Sequence, residues 1–387
     1  MSALKVGIVT KEWPPAVYGG AGVHVVQLTK ALRSLSNVDV SVHCFGGARN
    51  DGSFGYDTPA EFKNSNPALQ ALATDLAIAD HLQGLDVVHT HTWYANMAGH
   101  SASLLYGTPH VVSAHSLEPL RPWKAEQLGG GYRISSWAER TAYESAAAII
   151  AVSDGMRHDV IRAYPDVDPA KVFTIRNGVD TSQFAPNPAP HVLAEFGITG
   201  RYALFVGRIT RQKGLAHLLR AWQKVPADYG LVLAAGSPDE ANVGNEVAEL
   251  IAQLQKDRKN IWWIKDMLPH DKLTAVLTQA DLFLCPSIYE PLGIVNLEAM
   301  GCETAVLASK VGGIPEVVAD GETGVLVDYS EDSKKFESEL SNKITELMAN
   351  PELLERYGKA GRIRAAQHFG WDAIAQQTLD LYRSVIH

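Results

Sequence analysis

The chain has 387 residues, about twice a typical single domain, so two domains are expected, and 46% hydrophobic with 20% charged residues excludes intrinsic disorder. No apolar run reaches the roughly 18 residues that span a bilayer, and residues 1–9 lack the basic region, long apolar core and cleavage site of a signal peptide. With 34 Lys and Arg against 43 Asp and Glu, the net charge is −9, which argues against nucleic acid or an anionic membrane as partner and leaves any anionic ligand to a local basic cluster. Short Val/Ile-rich stretches ending in polar residues predict strands at residues 6–10, 38–45, 87–91, 110–115, 149–153 and 172–177. Helical spacing separates them at residues 22–35, 68–82 and 136–146. The scheme then repeats, with strands predicted at 203–206, 231–235, 261–264, 282–285, 305–308 and 325–327, and a last helix over 371–386.

Nearly continuous apolar strands alternating with helices call for parallel sheets covered on both faces, hence two doubly wound α/β domains. Pro186, Pro188 and Pro190 mark the boundary region, since neither a helix nor a central strand tolerates them well. Domains of residues 1–181, completed by a crossover helix at 370–387, and 182–369 are expected. The cysteines Cys44, Cys285 and Cys302 sit singly without metal spacing, and a cytoplasmic chain is expected.

Open α/β sheets bind ligands at the carboxyl ends of their strands, so the polar residues there carry the functional reading. After the first strand comes Tyr18-Gly19-Gly20-Ala21-Gly22, where backbone amides can approach an anion at a helix N-terminus. A tight turn is the alternative, and Val25 stands where a dinucleotide fingerprint needs a third glycine. The first strand of the second half leads into Gly207-Arg208-Ile209-Thr210-Arg211-Gln212-Lys213-Gly214, whose Arg208 and Lys213 can neutralise a diphosphate. A solvated basic turn is the alternative there.

The most specific segment runs from Ser287 to Met300. Pro291 and Gly293 put Glu290 in a loop, a helix starts near Gly293 or Ile294, and Glu298 lies about one turn inside it. Free amides at 293–295 can face phosphate while the two carboxylates accept hydroxyls, a combination suited to a sugar nucleotide. Two glutamates that merely cap or solvate the helix are the alternative. Among the histidines, His89 and His91 lack a third ligand at metal spacing, and His89 reads as structural. His115 is the better candidate because Ser116-Leu117-Glu118-Pro119 turns sharply after it. Arg121, Lys124 and Arg140 follow and offer cations for an acceptor.

Taken together, these segments resemble the retaining glycosyltransferases with two Rossmann-like domains facing across a cleft (GT-B type), relatives of glycogen synthase and sucrose synthase. The resemblance covers the whole chain and is most specific in Glu290 and Glu298, separated by seven residues. More narrowly, His89-Thr90-His91-Thr92-Trp93-Tyr94 and Ala114-His115-Ser116-Leu117-Glu118-Pro119 resemble the short actinobacterial branch, the α-maltose-1-phosphate synthases. The resemblance implies that Arg208, Lys213 and Gly20 hold the donor diphosphate, Glu290 the glucose and Glu298 the ribose. Gly293, Ile294 and Val295 complete the cradle, and backbone at Asp266-Met267 contacts the base. His115 stands near the reacting carbon, Thr92, Ser116 and Arg140 serve the acceptor, and Asp180 helps at the junction. The first loop departs from longer glycogen synthases, having Val17-Tyr18-Gly19-Gly20 in place of Lys-x-Gly-Gly.

The function implied is transfer of α-glucose from ADP-glucose to glucose 1-phosphate, giving α-maltose 1-phosphate. The alternative within the class is direct extension of an α-1,4-glucan from ADP- or UDP-glucose. A glucan phosphorylase would need pyridoxal phosphate, and a sugar-nucleotide sensor would bind donor without turnover. No cofactor and no metal are expected, because no Asp-x-Asp follows a strand to hold Mg²⁺ beside phosphates. The expected partners are a nucleotide-sugar donor and a sugar-phosphate acceptor, and the sequence leaves room for a homodimer.

Overall fold

The structure, a computed structural model, describes residues 3–125, 129–236 and 238–386. The chain divides into two compact units: the residues up to Asn177 together with those from Trp371 onward, and Gly178–Gly370. In the first unit, β1 (Leu4–Thr10), β2 (Val38–Phe45), β3 (Phe54–Tyr56), β4 (Val87–His91), β5 (His110–Ala114), β6 (Ala148–Ala151) and β7 (Val172–Thr174) form one sheet. Their order is β3-β2-β1-β4-β5-β6-β7, and every pairing is parallel.

Strand alternation sends neighbouring side chains to opposite faces, and both faces are covered. Val6 and Ile8 pack in a core with Val25, Leu28 and Leu32 of helix Gly20–Arg33. Val9 and Val88 pack instead with Ile78, Ala95, Ala98 and Ala102. Helix Trp371–Val385 joins the first of these cores through Trp371, Ile374, Leu379 and Tyr382. Each such large apolar side chain contributes about 1.5–3 kcal/mol when buried.

The second unit repeats the design with β8 (Tyr202–Val206), β9 (Gly230–Ala234), β10 (Ile261–Ile264), β11 (Leu282–Cys285), β12 (Ala305–Ser309) and β13 (Gly324–Val327). The sheet order is β10-β9-β8-β11-β12-β13, again parallel throughout. In each sheet the first strand has its successor on one side and a later strand on the other. These reversals, at β1/β4 and β8/β11, are where open α/β sheets form ligand crevices.

Most predicted elements fall within a few residues of the observed ones, with two informative differences. Helix Gly20–Arg33 begins two residues before the predicted start, because the Glu12 carboxylate accepts the amides of Tyr18 and Gly19 and organises the turn into it. Strand β3 was not anticipated: its three residues are too few for a periodic signal, and it is held on β2 by stacking of Phe54 on His43. Among the described residues no helix is long and apolar enough to cross a membrane.

Candidate active site

In the second unit, two loops from adjacent strands meet at the β8/β11 reversal. After β8 the chain makes a turn at Arg211–Lys213 and enters helix Leu215–Trp222 through Gly214. Gly214 has φ +65°, and a Cβ there would lie 1.9 Å from the Pro286 carbonyl oxygen, so only glycine lets the loops close. The Ile288 amide donates to the Gln212 carbonyl at 2.9 Å and ties them together. Beyond β12, Gly312 presses on the Glu290 backbone in the same way, and the Gly313 amide donates to the Glu290 carbonyl at 3.0 Å.

This arrangement brings Lys213 Nζ to 2.6 Å from Glu290 Oε2, which also accepts the Ser287 hydroxyl at 3.3 Å. Burial works to lower the Lys213 pKa, but the Glu290 carboxylate outweighs it, so the ammonium ends above its ordinary value and stays charged. Arg208 is near enough to oppose that charge, and it donates to Asp239 Oδ2 at 2.6 Å. Glu298, inside helix Ile294–Gly301, is pushed up to about 7 by burial, with Lys213 pulling the other way. The helix begins after Gly293 with no side chain capping its first amides, so Ile294 and Val295 offer donors beside the two cations.

Arg208, Lys213, Glu290, Glu298 and the 293–295 backbone are therefore brought together. Met267 lies 78% exposed after β10, two strands from β8. Asn296 was missed by sequence reasoning: it is fully buried, and neither amide atom has a hydrogen-bond partner among the described residues. An Asn between Val295 and Leu297, on the buried run of a helix whose one other polar residue is Glu298, was the available signal.

In the first unit, His115 follows β5, and its Nε2 lies 3.0 Å from His91 Nδ1. The expectation that His91 lacks a third histidine fails. His24, from helix Gly20–Arg33, packs edge-on against His115 at 4.7 Å, and one ring nitrogen from each of His24, His91 and His115 falls within 4.8 Å of the others. Linear spacing cannot reveal a trio drawn from three elements. Three imidazoles can ligate a transition metal, but here His91 and His115 use the facing nitrogens to bond one another.

Burial lowers the pKa of all three, to about 4 for His115, so the rings are neutral at pH 7. His89 is a satisfied core histidine, 2.6 Å from the Tyr382 hydroxyl and 2.8 Å from Ser113 Oγ. Ser116 is half-buried beside His115. Thr92 has φ +66°, a conformation that costs a non-glycine residue about 1–3 kcal/mol and concentrates at functional sites.

Three expectations for this unit change. The amides of Tyr18 and Gly19 ahead of Gly20 already donate to Glu12, at 3.0 and 2.8 Å, so an internal carboxylate sits where an anion was expected. Arg121 is engaged by buried Glu118, whose backbone amide and second oxygen are held by Glu139 and Ser135, making this a device that fixes the loop after His115. Arg140 sits nine residues into helix Gly131–Ser145, about 14 Å down an axis that leads away from the carboxyl edge, and its exposed guanidinium is 4.0 Å from Glu144. In the second unit, Asp180 caps its own turn, accepting the Ser182 amide at 3.0 Å.

Comparison with known proteins gives two family matches, "Glycosyltransferase Family 4" over residues 18–183 and "Glycosyl transferases group 1" over residues 195–364. Alpha-maltose-1-phosphate synthase of Mycolicibacterium smegmatis is 52% identical over 388 residues, covering 99% of this chain and 100% of that protein. The protein of the same name from Mycobacterium tuberculosis matches at the same identity and coverage. Among solved structures, sucrose-phosphate synthase from Thermosynechococcus elongatus superposes with a TM-score of 0.82 at 24% identity over 99% of both chains.

Proposed function

The chain belongs to the GT-B glycosyltransferases, in the group of the α-maltose-1-phosphate synthases, and from that premise we propose that it transfers α-glucose from ADP-glucose to glucose 1-phosphate. The products are α-maltose 1-phosphate and ADP. The observation that carries the reading is the cluster of Arg208, Lys213, Glu290 and Glu298 at the start of helix Ile294–Gly301, which joins diphosphate-binding cations to hydroxyl-binding carboxylates.

In this reading the second unit holds the donor. Breaking the bond from glucose C1 to the diphosphate oxygen builds negative charge on the leaving group. Lys213, Arg208 and the amides of Ile294 and Val295 offset that charge. Lys213 exchanges Glu290 for phosphate, which frees Glu290 to accept glucose hydroxyls, and Glu298 accepts the ribose hydroxyls. No protein carboxylate is assigned as nucleophile. The acceptor hydroxyl attacks C1 from the face that the diphosphate leaves, and its proton passes to the departing phosphate, which retains configuration. The first unit serves the acceptor through Thr92 and Ser116, with neutral His115 bonding the transferred sugar. No metal is assigned a role.

The test offers ADP-glucose and UDP-glucose, each with glucose 1-phosphate and with glycogen, and identifies products by chromatography and mass. Maltose 1-phosphate from ADP-glucose is expected at kcat/KM values far above those for glucan extension. Equal or better use of glycogen would overturn the acceptor assignment, and a preference for UDP-glucose would overturn the donor.

A further inference from the structure

We propose that Lys11, together with the start of helix Trp93–Tyr106, forms the seat for the acceptor's phosphate, a phosphomonoester dianion. Naming the acceptor rests on the function proposed above; the anion seat itself does not.

Thr10 pairs with His91 in the sheet, so the next residues, Lys11 and Thr92, leave β1 and β4 side by side at the reversal where an open α/β sheet has its ligand crevice. Lys11 Nζ lies 3.7 Å from the centre of the Tyr94 ring, in the first turn of the helix. The ammonium makes no ion pair among the described residues, and the adjacent Glu12 is bound to the Tyr18 and Gly19 amides. Burial lowers the Lys11 pKa and Glu12 compensates only in part, so a half-buried cation stands short of counter-charge.

The second unit offers an internal comparison. There the lysine that follows the first strand, Lys213, has its counter-ion in Glu290. The surroundings of Lys11 add polar groups of the right kind. Thr92 takes its strained backbone immediately before the helix, and no side chain caps the first amides. A neutral sugar would leave the Lys11 charge unanswered, whereas a phosphate dianion answers it and accepts from the amides as well.

The test measures binding of glucose 1-phosphate and of inorganic phosphate to the full chain by calorimetry, with steady-state kinetics alongside. The variants are Lys11→Met and Lys11→Gln, which remove the charge, and Lys11→Arg, which keeps it. The neutral variants are expected to weaken both anions at least tenfold and to raise the KM for glucose 1-phosphate similarly, with kcat and the donor KM within about threefold. Lys11→Arg should stay within about threefold of the parent. Unchanged anion affinity in whichever neutral variant keeps the parental melting temperature overturns the proposal, as does failure of the parent to bind either anion. If the enzyme extends glycogen and ignores glucose 1-phosphate, yet inorganic phosphate binds and is lost in Lys11→Met, the acceptor assignment falls while the anion seat stands.

Discussion

Replacing Lys213 with Met separates catalysis from structure at the centre of the donor cluster. The Lys213–Glu290 pair has an N–O distance of 2.6 Å with side chains 18% and 9% exposed, so it is largely sheltered from water. Breaking a fully buried pair costs about 3–5 kcal/mol through the charge left behind. With partial exposure, and with the Ser287 hydroxyl still on Glu290, about 2 kcal/mol is expected, or a fall in Tm of about 4–8 °C. Catalysis should suffer more. Loss of one charge-stabilising donor lowers kcat about 10²–10³-fold, or about 2.7–4 kcal/mol in the barrier. The double variant Lys213→Met with Glu290→Gln removes both charges and should recover most of the Tm while remaining inactive. The assay is ADP release with glucose 1-phosphate as acceptor, alongside thermal melts. A kcat within fivefold of the parent in a folded Lys213→Met protein would refute the charge-stabilising role. Recovery of activity in the double variant would show that the single substitution acted through the stranded carboxylate.

Arg208→Ala should lower kcat at least ~100-fold yet leave Tm nearly unchanged, because its bond to Asp239 joins side chains 48% and 32% exposed, a pairing of small energetic weight. Activity should survive EDTA; abolition by EDTA with recovery on adding Mg²⁺ would show that the cations and helix amides do not suffice. Glu298, raised to about 7 from 4.5, binds a proton in the folded chain that the unfolded chain releases, so its penalty is absent below pH 4.5, grows up to pH 7 and persists above. Glu298→Gln should therefore melt higher than the parent above pH 7, by an amount on the order of 2–3 kcal/mol, and lose that advantage near pH 4.5; a pH-independent difference would contradict the burial argument. The buried histidines work in the other direction: His24, His89, His91 and His115 have lowered values, so stability present above pH 6.5 should fall as pH drops, by about 2 kcal/mol at pH 5 from His115 alone, visible in melts from pH 7 to 5.

Local periodicity is enough to read both sheets apart from the three-residue β3, because apolar runs such as Val111–Val112 and Leu282–Leu284 are bounded by polar strand ends. It also places the donor candidates, since Lys213 and Glu290 each follow a strand and adjacent strands present their ends together. What it cannot reveal is pairing between distant residues. Lys213 and Glu290 were assigned to different parts of a ligand, yet they hold one another, a contact made only when β8 and β11 become neighbours. Glu12 was passed over because a carboxylate before a glycine loop carries no periodic signal, and its role depends on the loop wrapping around it. Arg140 shows how chain proximity and position in the fold diverge. Nearness to His115 in the chain does not survive a helix that carries it 1.5 Å farther with every residue.

The membership of helix Trp371–Val385 in the first unit sets the order in which the protein can be built. Residues 178–370 form a continuous stretch, so that unit can fold on the ribosome while the first unit still lacks an element. Tyr382 closes the hydrogen bond to His89, and Trp371 packs edge-on against His24, so the histidine network around His115 waits for residues translated after the second unit. A nascent chain stalled before residue 371 would carry a folded second unit and a first unit whose core around Val25, Leu28 and Leu32 still lacks Trp371, Ile374, Leu379 and Tyr382. Translation thus inverts the usual sequence for this chain, and the half that begins first is finished last.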